Sequence, residues 1–217
     1  EYQLVFNPST YSYRYPGNDL HIGYSKTYRL SVTAKIDNKR LTAKSVTTTP
    51  NKGFSINKSL SVSGEVKYRE KDEFGEVKKL KLVFNPSPGT DFYAVGLVAV
   101  DASLNKFIFD NPYFKFDTNE VIKDFEHFKY EYNWLQNVKG DVQNQIQDIN
   151  WLDTWFYGNY RVVMYAGDRN FKDYFITINQ LQEMDGNYHE PKMYFEGDGI
   201  GIFGSFIADT VTFNLVK

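Results

Sequence analysis

The chain has 217 residues, a formal net charge of −2 and no cysteine. The 41% of hydrophobic residues suffices to build the core of one large domain or two small ones. The slightly acidic balance lacks the basic surface that nucleic-acid partners require, so we expect no nucleic-acid partner. The absence of cysteine excludes disulfides, thiolate metal ligands and a cysteine nucleophile within these residues. No apolar run approaches the roughly 18 residues of a membrane-spanning helix.

Aromatic residues make up 18% of the chain, with 18 Phe and 17 Tyr, and they recur in runs rich in Val, Ile and Thr. Such runs favour a pleated surface. The pattern predicts a mainly β protein of about a dozen strands with one or two short helices. Because strands and helices do not alternate, a doubly wound parallel sheet is disfavoured.

Residues 1–52 are predicted to be the C-terminal part of an immunoglobulin-like β region. Apolar residues alternate over 28–36, a turn follows at 37–40, and a second strand runs over 41–49 to Pro50. This hairpin resembles the last two strands of an immunoglobulin-like sandwich, which takes about 100 residues, so we expect earlier strands upstream. Shorter strands are predicted before this hairpin, over residues 2–6, around Tyr11, Tyr13 and Tyr15, and over residues 20–24.

Residues 53–217 are predicted to form a larger antiparallel β domain. A hairpin is expected from strands at 60–68 and 77–84 with a charged tip at 70–76. The nearly all-apolar run 92–100 is the candidate for the centre of the larger sheet. Further strands are predicted over 160–166 and around the alternating aromatics Phe128, Tyr130, Tyr132 and Trp134. The hexapeptide LVFNPS occurs at residues 4–9 and again at 82–87, which indicates a strand followed by a turn used twice.

Two segments have helical spacing of their apolar residues. The first contains Val142, Ile146, Ile149 and Leu152. The second contains Phe171, Tyr174, Ile178 and Leu181, and Gly186 offers a C-terminal stop.

Gly199, Gly201 and Gly204 have the GxGxxG spacing of dinucleotide-binding loops. The residues that follow alternate as a strand does, with Val211, Phe213 and Leu215 apolar, whereas the nucleotide motif requires a helix there. We therefore interpret the glycines as positions of bending or close backbone approach, and expect no cofactor.

Isolated polar residues supply few candidates for chemistry. His21, His127 and His189 lack any metal-binding or catalytic spacing, so we expect neither a metal site nor a histidine-based triad. The carboxylates that would have to pair for a glycosidase are Asp148, Asp153, Glu196 and Asp198. Glu196, Asp198 and Asp209 would be the candidates for calcium, although no calcium-loop motif is present.

A cluster of aromatic residues follows the first predicted helix. Trp151, Trp155 and Tyr157, together with Phe156, would stack on a sugar or a peptide if they were exposed together. If they are buried, they belong to the core, which is the reading that we favour. Trp151, Trp155 and Tyr157 are the candidate ligand-binding residues.

Five segments in order carry a resemblance to a known family. These are TYRLSVTA at 27–34, LTAKSVTTTP at 41–50, FNPSPGTDFY at 84–93, DTWFYGNY at 153–160 and GIGIFG at 199–204. Together they resemble the Bacteroidetes cell-envelope lipoproteins catalogued as domain of unknown function number 4249. The resemblance implies export, attachment to the outer membrane through an upstream lipidated cysteine, and genes beside those of TonB-dependent outer-membrane receptors. It assigns no catalytic residues.

Two functions are therefore expected. The first is a non-enzymatic outer-membrane lipoprotein that is accessory to a TonB-dependent receptor or another envelope assembly. The second is a ligand-binding or adhesion module that recognises carbohydrate or peptide through exposed aromatics. An enzyme is a third alternative, which a cleft with paired carboxylates of perturbed pKa would favour.

Overall fold

The computed structural model describes residues 1–135, 138–178 and 190–217. Over these ranges the chain is mainly β, as the composition predicted. The strands are β1 (Val5–Asn7), β2 (Ser12–Arg14), β3 (Thr27–Ile36), β4 (Lys39–Thr48), β5 (Ser55–Ile56), β6 (Gly64–Lys67), β7 (Leu80–Asn85), β8 (Phe92–Ala99), β9 (Tyr130–Leu135), β10 (Gln145–Ile149), β11 (Gly158–Gly167), β12 (Glu196–Gly197) and β13 (Phe206–Val216). The α-helices are α1 (Thr118–Lys123), α2 (Phe125–Phe128) and α3 (Arg169–Ile178), with short 3-10 turns at Leu104–Lys106 and Trp151–Asp153.

The strands form four sheets. The largest has the order β6-β13-β11-β8-β9, and its pairs are antiparallel except for β6, which runs parallel to β13. A three-stranded sheet has the order β10-β7-β5, and another has the order β12-β4-β3. Among the described strands, β1 and β2 pair only with each other.

The main core lies between the five-stranded sheet and the sheet β10-β7-β5. Leu82 and Phe84 of β7 are buried in one cluster with Tyr93 of β8, and the rings of Phe84 and Tyr93 are 5.7 Å apart. On the larger sheet, Tyr160 stacks on Phe213 of the neighbouring strand at 5.1 Å. These two facing sheets make the fold sandwich-like.

Strand β8 is buried over its whole length, as the apolar run predicted. It lies inside the sheet between β9 and β11, and β11 occupies the central position. The centre of the sheet is therefore β11 and not β8 as predicted, because β11 pairs with β13 over all ten of its residues and with β8 over eight.

The predicted N-terminal hairpin is present as β3 and β4. Its turn is tighter than predicted, since Asp37 and Asn38 alone make it, with φ angles of 50° and 65°. Two residues with positive φ give the hairpin turn that suits the twist of the strands. The distant strand β12 pairs with the other edge of β4, so residues 196 and 197 extend this sheet.

The strand predicted over residues 20–24 is wrong. Gly23 instead donates its N–H to the Tyr28 hydroxyl at 2.9 Å, and its carbonyl accepts a hydrogen bond from the Thr49 hydroxyl at 2.6 Å. Side chains therefore satisfy backbone groups that a neighbouring strand would otherwise pair.

The hairpin predicted over residues 60–84 exists only at its tip. The Lys78 N–H donates to the Glu70 carbonyl, and the Asp72 N–H donates to the Glu76 carbonyl, both at 2.8 Å. Beyond the tip the strands diverge, because β6 pairs with β13 and β7 pairs with β10 and β5. Pairing with distant strands has overridden the local hairpin.

The first predicted helix is also wrong, because residues 145–149 form β10 beside β7. Ile146 is exposed and Ile149 is buried, so the apolar residues do not share one covered face. Tertiary pairing has decided between two readings of a short apolar pattern.

The second predicted helix is confirmed over α3, whereas Leu181 and Gly186 lie outside the described residues. Asp168 begins this helix by accepting the N–H of Phe171 at 2.8 Å. Phe171 and Phe175 pack on Phe92 at 5.8 and 5.5 Å. Helix α3 therefore covers one end of the outer face of the five-stranded sheet.

Candidate binding face and acidic cleft

The most exposed aromatic row on the five-stranded sheet belongs to its edge strand β9. Tyr130, Tyr132 and Trp134 are 44%, 53% and 40% exposed. They alternate along the strand, so their side chains share the face of the sheet that is turned away from the main core. The prediction of a strand with alternating aromatic residues is confirmed for these three residues, whereas Phe128 lies in α2 and is buried.

Small residues on the neighbouring strand β8 make room for these rings. Trp134 pairs with Ala94, and Tyr132 pairs with Gly96. A Cβ atom on Gly96 would lie 2.7 Å from Cε1 of Tyr132, which shows that this ring covers the glycine. The backbone of β8 therefore supports the inner side of the Tyr132 ring, and more than half of the side chain stays open to solvent.

The row continues onto the central strand β11. Tyr165 pairs with Ala94 across the other edge of β8, and partial burial, together with the nearby Tyr132 hydroxyl, raises its pKa. Arg161 and Val163 precede Tyr165 on the same face. We call the surface formed by Tyr130, Tyr132, Trp134 and Tyr165 the aromatic face.

The opposite side of β9 is polar. Glu131 and Asn133 point between the two sheets and line a cleft of about 300 Å³ together with Asp148 and Asp153. Its apolar wall includes Val95 of β8. We call this space the acidic cleft.

Hydrogen bonds fix two of the acids in this cleft. The indole N–H of Trp155 donates to Oε1 of Glu131 at 3.0 Å, and the amide of Asn133 donates to Oδ2 of Asp153 at 3.0 Å. Burial raises the pKa of Asp153 to about 6; the Glu131 carboxylate adds to the rise, and the hydrogen bond from Asn133 opposes it. The cleft therefore places a carboxyl that titrates near neutrality beside a second carboxylate.

The predicted carboxylate candidates divide into two groups. Asp148 and Asp153 both line the acidic cleft, and Asp148 forms an ion pair with Lys79 at 2.6 Å. Glu196 lies in β12, which pairs with β4, and Asp198 accepts the N–H of Thr42 of β4 at 2.9 Å. These two carboxylates therefore lie beside β4. Sequence reasoning missed Glu131, although its place between Tyr130 and Tyr132 in an alternating strand was a signal that it faces the other way.

The three predicted ligand-binding residues do not form one exposed surface. Trp155 is 8% exposed, and its ring lies 5.2 Å from Phe128 and 5.6 Å from Phe116. Phe107 stacks parallel to it. The favoured reading of Trp155 as a core residue is therefore confirmed, and its candidacy as a ligand-binding residue is corrected, because these rings occupy the space around the indole.

Trp151 and Tyr157 are half-buried, and both pack edge-on against Tyr68, at 5.6 and 5.9 Å. The indole N–H of Trp151 donates to the Lys78 carbonyl at 2.8 Å. Trp151 also lines a cleft of about 340 Å³ beside Leu80. That Trp151 and Tyr157 contact a ligand stays a prediction.

The glycine-rich segment leads into strand β13, as predicted. A Cβ atom on Gly199 would lie 2.4 Å from Cβ of Ala43, and one on Gly204 would lie 3.2 Å from Cβ of Phe171. These glycines therefore allow the C-terminal segment to pack closely on β4 and on α3.

The histidines and the proposed calcium ligands lie on separate elements. His127 is in α2, His21 lies in the segment before β3, and His189 is outside the described residues. Asp209 accepts the N–H of Ile56 at 2.9 Å and pairs with Lys58. Within ranges 1–135, 138–178 and 190–217 no three His, Cys, Asp or Glu side chains are arranged to hold a metal ion.

Comparison of the chain with protein-family models, with curated proteins and with solved structures finds no match. None of the helices in the described part of the chain has the length and apolar character to traverse a bilayer.

Proposed function

We propose that the chain is a non-enzymatic binding protein of the cell envelope, held at the outer membrane by an upstream lipid anchor and accessory to a TonB-dependent receptor. The resemblance of its five ordered segments to envelope lipoproteins supports this location and partner. The aromatic face supports the binding role, and it is the observation that carries the proposal.

Exposed aromatic rings in a row are unusual on a surface that serves no partner. Tyrosine and tryptophan contribute large contact areas with few rotatable bonds, and they are enriched among residues that dominate binding energies. Tyr132 and Trp134 project from a hydrogen-bonded strand, so their positions are defined before a ligand arrives. This preorganisation lowers the entropy lost on binding.

The proposal is tested by co-purification from detergent-solubilised outer membranes. The full-length lipoprotein carrying an affinity tag should recover the TonB-dependent receptor encoded beside it, and an unrelated tagged outer-membrane lipoprotein is the control. Failure to recover the receptor in detergents that preserve other receptor complexes would contradict the accessory role.

A second candidate function is favoured by the acidic cleft. A carboxyl with a pKa of about 6 beside a second carboxylate is the arrangement that general acid–base catalysis of glycoside hydrolysis uses. Asp153 would act as the acid and Glu131 as its partner. The sequence did not predict that these two residues are neighbours, because 21 residues separate them and separation along a β chain does not indicate distance in space.

The two candidates are separated by incubating the protein with a panel of 4-nitrophenyl glycosides and neutral oligosaccharides. The binding proposal predicts that release of product by the parent equals that of Glu131→Gln and Asp153→Asn. Turnover by the parent that both substitutions abolish would establish an enzyme and contradict the non-enzymatic proposal.

A further inference from the structure

We infer that the aromatic face binds a neutral, linear glycan by stacking its sugar rings on Tyr132 and Trp134. This inference rests on the proposed function, in which the aromatic face is the binding surface. It names the chemical class of the ligand.

The spacing of the rings suits an extended polymer. Alternate residues of a strand are about 7 Å apart, so Tyr130, Tyr132 and Trp134 follow a nearly straight line of roughly 13 Å. The C–H groups of a pyranose form an apolar face that stacks on an aromatic ring, and linked sugars repeat this face along the chain. A row of rings therefore engages several units of a linear glycan, whereas a single sugar engages one ring.

The support beneath the rings favours stacking over insertion. Tyr132 covers Gly96, and the side chain of Ala94 lies beneath the row between Trp134 and Tyr165. Ala94 and Gly96 are small and buried, so the rings above them lie close to the backbone of β8. Such a surface offers flat ring faces to a flat ligand.

The charge of this surface favours a neutral ligand. The paired residues of β8, β9, β11 and β13 that point to this face are uncharged except for Arg161. Lys129 Nζ lies 5.9 Å from the centre of the Tyr130 ring, and an ion pair with Glu126 at 3.0 Å offsets its charge. The tyrosine hydroxyls, together with Thr210 and Thr212 on β13, supply uncharged groups that hydrogen-bond to sugar hydroxyls.

A peptide would use a different part of the same strand. Extended peptides add to the free edge of a sheet through backbone hydrogen bonds, in the plane of the sheet. The exposed rings stand above that plane. The exposure of Tyr132 and Trp134 is therefore accounted for by a ligand lying on the face.

The inference is tested by isothermal titration calorimetry with cellohexaose, maltohexaose, laminarihexaose and mannohexaose, and with glucose and a hexamer of galacturonic acid as comparisons. We expect at least one neutral hexasaccharide to bind, and glucose and the charged hexamer to bind more weakly. Tyr132→Ala and Trp134→Ala should each weaken binding by about tenfold or more. Tyr132→Phe, which keeps the ring and loses only the hydroxyl, should weaken binding less than Tyr132→Ala does.

Phe74→Ala is the matched control, because Phe74 is an exposed aromatic ring in the tip of residues 70–78, away from β9. It should leave binding unchanged. Thermal unfolding followed by circular dichroism checks that each variant is folded, and Trp134→Ala keeps the test informative if Tyr132→Ala unfolds.

Absence of binding by all four neutral hexasaccharides, or equal binding by the parent and Tyr132→Ala, would overturn the inference. If the receptor co-purifies with the parent and is lost with Tyr132→Ala, the face docks a protein, so the glycan inference fails and the proposed function stands. If glycans bind as expected and no receptor co-purifies, the receptor role fails and the ligand class stands.

Discussion

The aromatic cluster around Trp155 and the aromatic face on β9 both consist of aromatic residues, but the first is buried and the second is exposed. Trp155 is 8% exposed and surrounded by other rings, whereas Trp134 is 40% exposed on the outer side of an edge strand. The two tryptophans differ in exposure because a chain segment packs over one of them. The connection between β8 and β9 folds Phe107 and Phe116 over Trp155, while no described element lies over Tyr132. An aromatic cluster in the sequence therefore indicates a ligand surface only once the covering segment is known.

The cover over Trp155 has its own local support. Helix α1 begins with a capping box, in which the Asp117 carboxylate accepts two backbone N–H groups and Glu120 accepts the N–H of Asp117. Val121 and Phe128, on the two short helices, are buried in the core that Trp155 joins. This connection thus serves the stability of the fold, and it lies on the opposite side of the five-stranded sheet from the aromatic face.

The largest expected effect is the loss of the buried ring. Trp155→Ala removes a side chain that contacts several rings and leaves a cavity, so it should lower the free energy of unfolding by about 3–5 kcal/mol. Tyr132→Ala should lower it by less than about 1 kcal/mol, because the ring is half-exposed. Urea unfolding followed by circular dichroism compares the two, and equal losses would break the distinction between core and face.

The repeated hexapeptide LVFNPS extends this contrast to identical sequences. Phe84 in the second copy is 1% exposed, whereas Phe6 in the first copy is 45% exposed. Phe84→Ala should therefore cost about 3–5 kcal/mol, and Phe6→Ala about 1 kcal/mol or less. Thermal and urea unfolding measure both, and a larger loss for Phe6→Ala would show that the N-terminal hairpin is covered in solution.

Asp153 offers a test of the polar side of β9. Its pKa is about 6 in the fold against an ordinary 3.8, so the folded state holds the proton more tightly than the unfolded state. The stability that protonation supplies is fully present below about pH 3.8 and is lost as the pH rises through about 6.

Asp153→Asn should remove this decline and stabilise the protein at pH 7 by about 1 kcal/mol, a figure discounted because solvent screens the partly exposed group. Urea midpoints measured from pH 4 to pH 7.5 on the parent and the variant give the comparison. Parallel pH profiles would show that Asp153 is not the titrating group.

Gly96→Ala is expected to have the smallest effect on stability and a selective effect on the aromatic face. The added methyl group would meet the Tyr132 ring at 2.7 Å, so this exposed ring has to move away from β8. The gain from removing a glycine in a strand offsets the lost contact, and the free energy of unfolding should change by less than about 1 kcal/mol. Calorimetry should nevertheless show weaker hexasaccharide binding, and unchanged binding would mean that the position of Tyr132 is unimportant.

Much of the fold follows from local patterns, since the hairpin β3–β4, the buried strand β8, the helix α3 and the final strand β13 all agree with their periodicity. The strand β10 does not agree with its periodicity. Its partner β7 is more than 50 residues earlier in the chain, and pairing with β7 outweighs a weak helical spacing. The alternation of β9 predicted the aromatic row. It did not reveal that the row is exposed, since exposure depends on which segments cover the sheet.

The candidate site was harder to predict than the strands that hold it. The acidic cleft joins Glu131 of β9 to Asp153 of a 3-10 turn, and the two become neighbours through the facing of two sheets. The sequence left Trp155 open as a ligand-binding candidate for the same reason, because the rings that bury it come from residues about 25 to 50 positions earlier in the chain. Contacts of this kind leave no local signal.

Hydroxyl-radical footprinting of the aromatic side chains, with and without the neutral hexasaccharide that binds most tightly, would locate the surface that the ligand covers. We predict that Tyr132 and Trp134 are oxidised readily in the free protein and protected in the complex, that Phe74 reacts equally in both, and that Trp155 is unreactive throughout. Protection of Trp151 and Tyr157 with Tyr132 and Trp134 unchanged would contradict the account and place the binding surface on the other side of the fold.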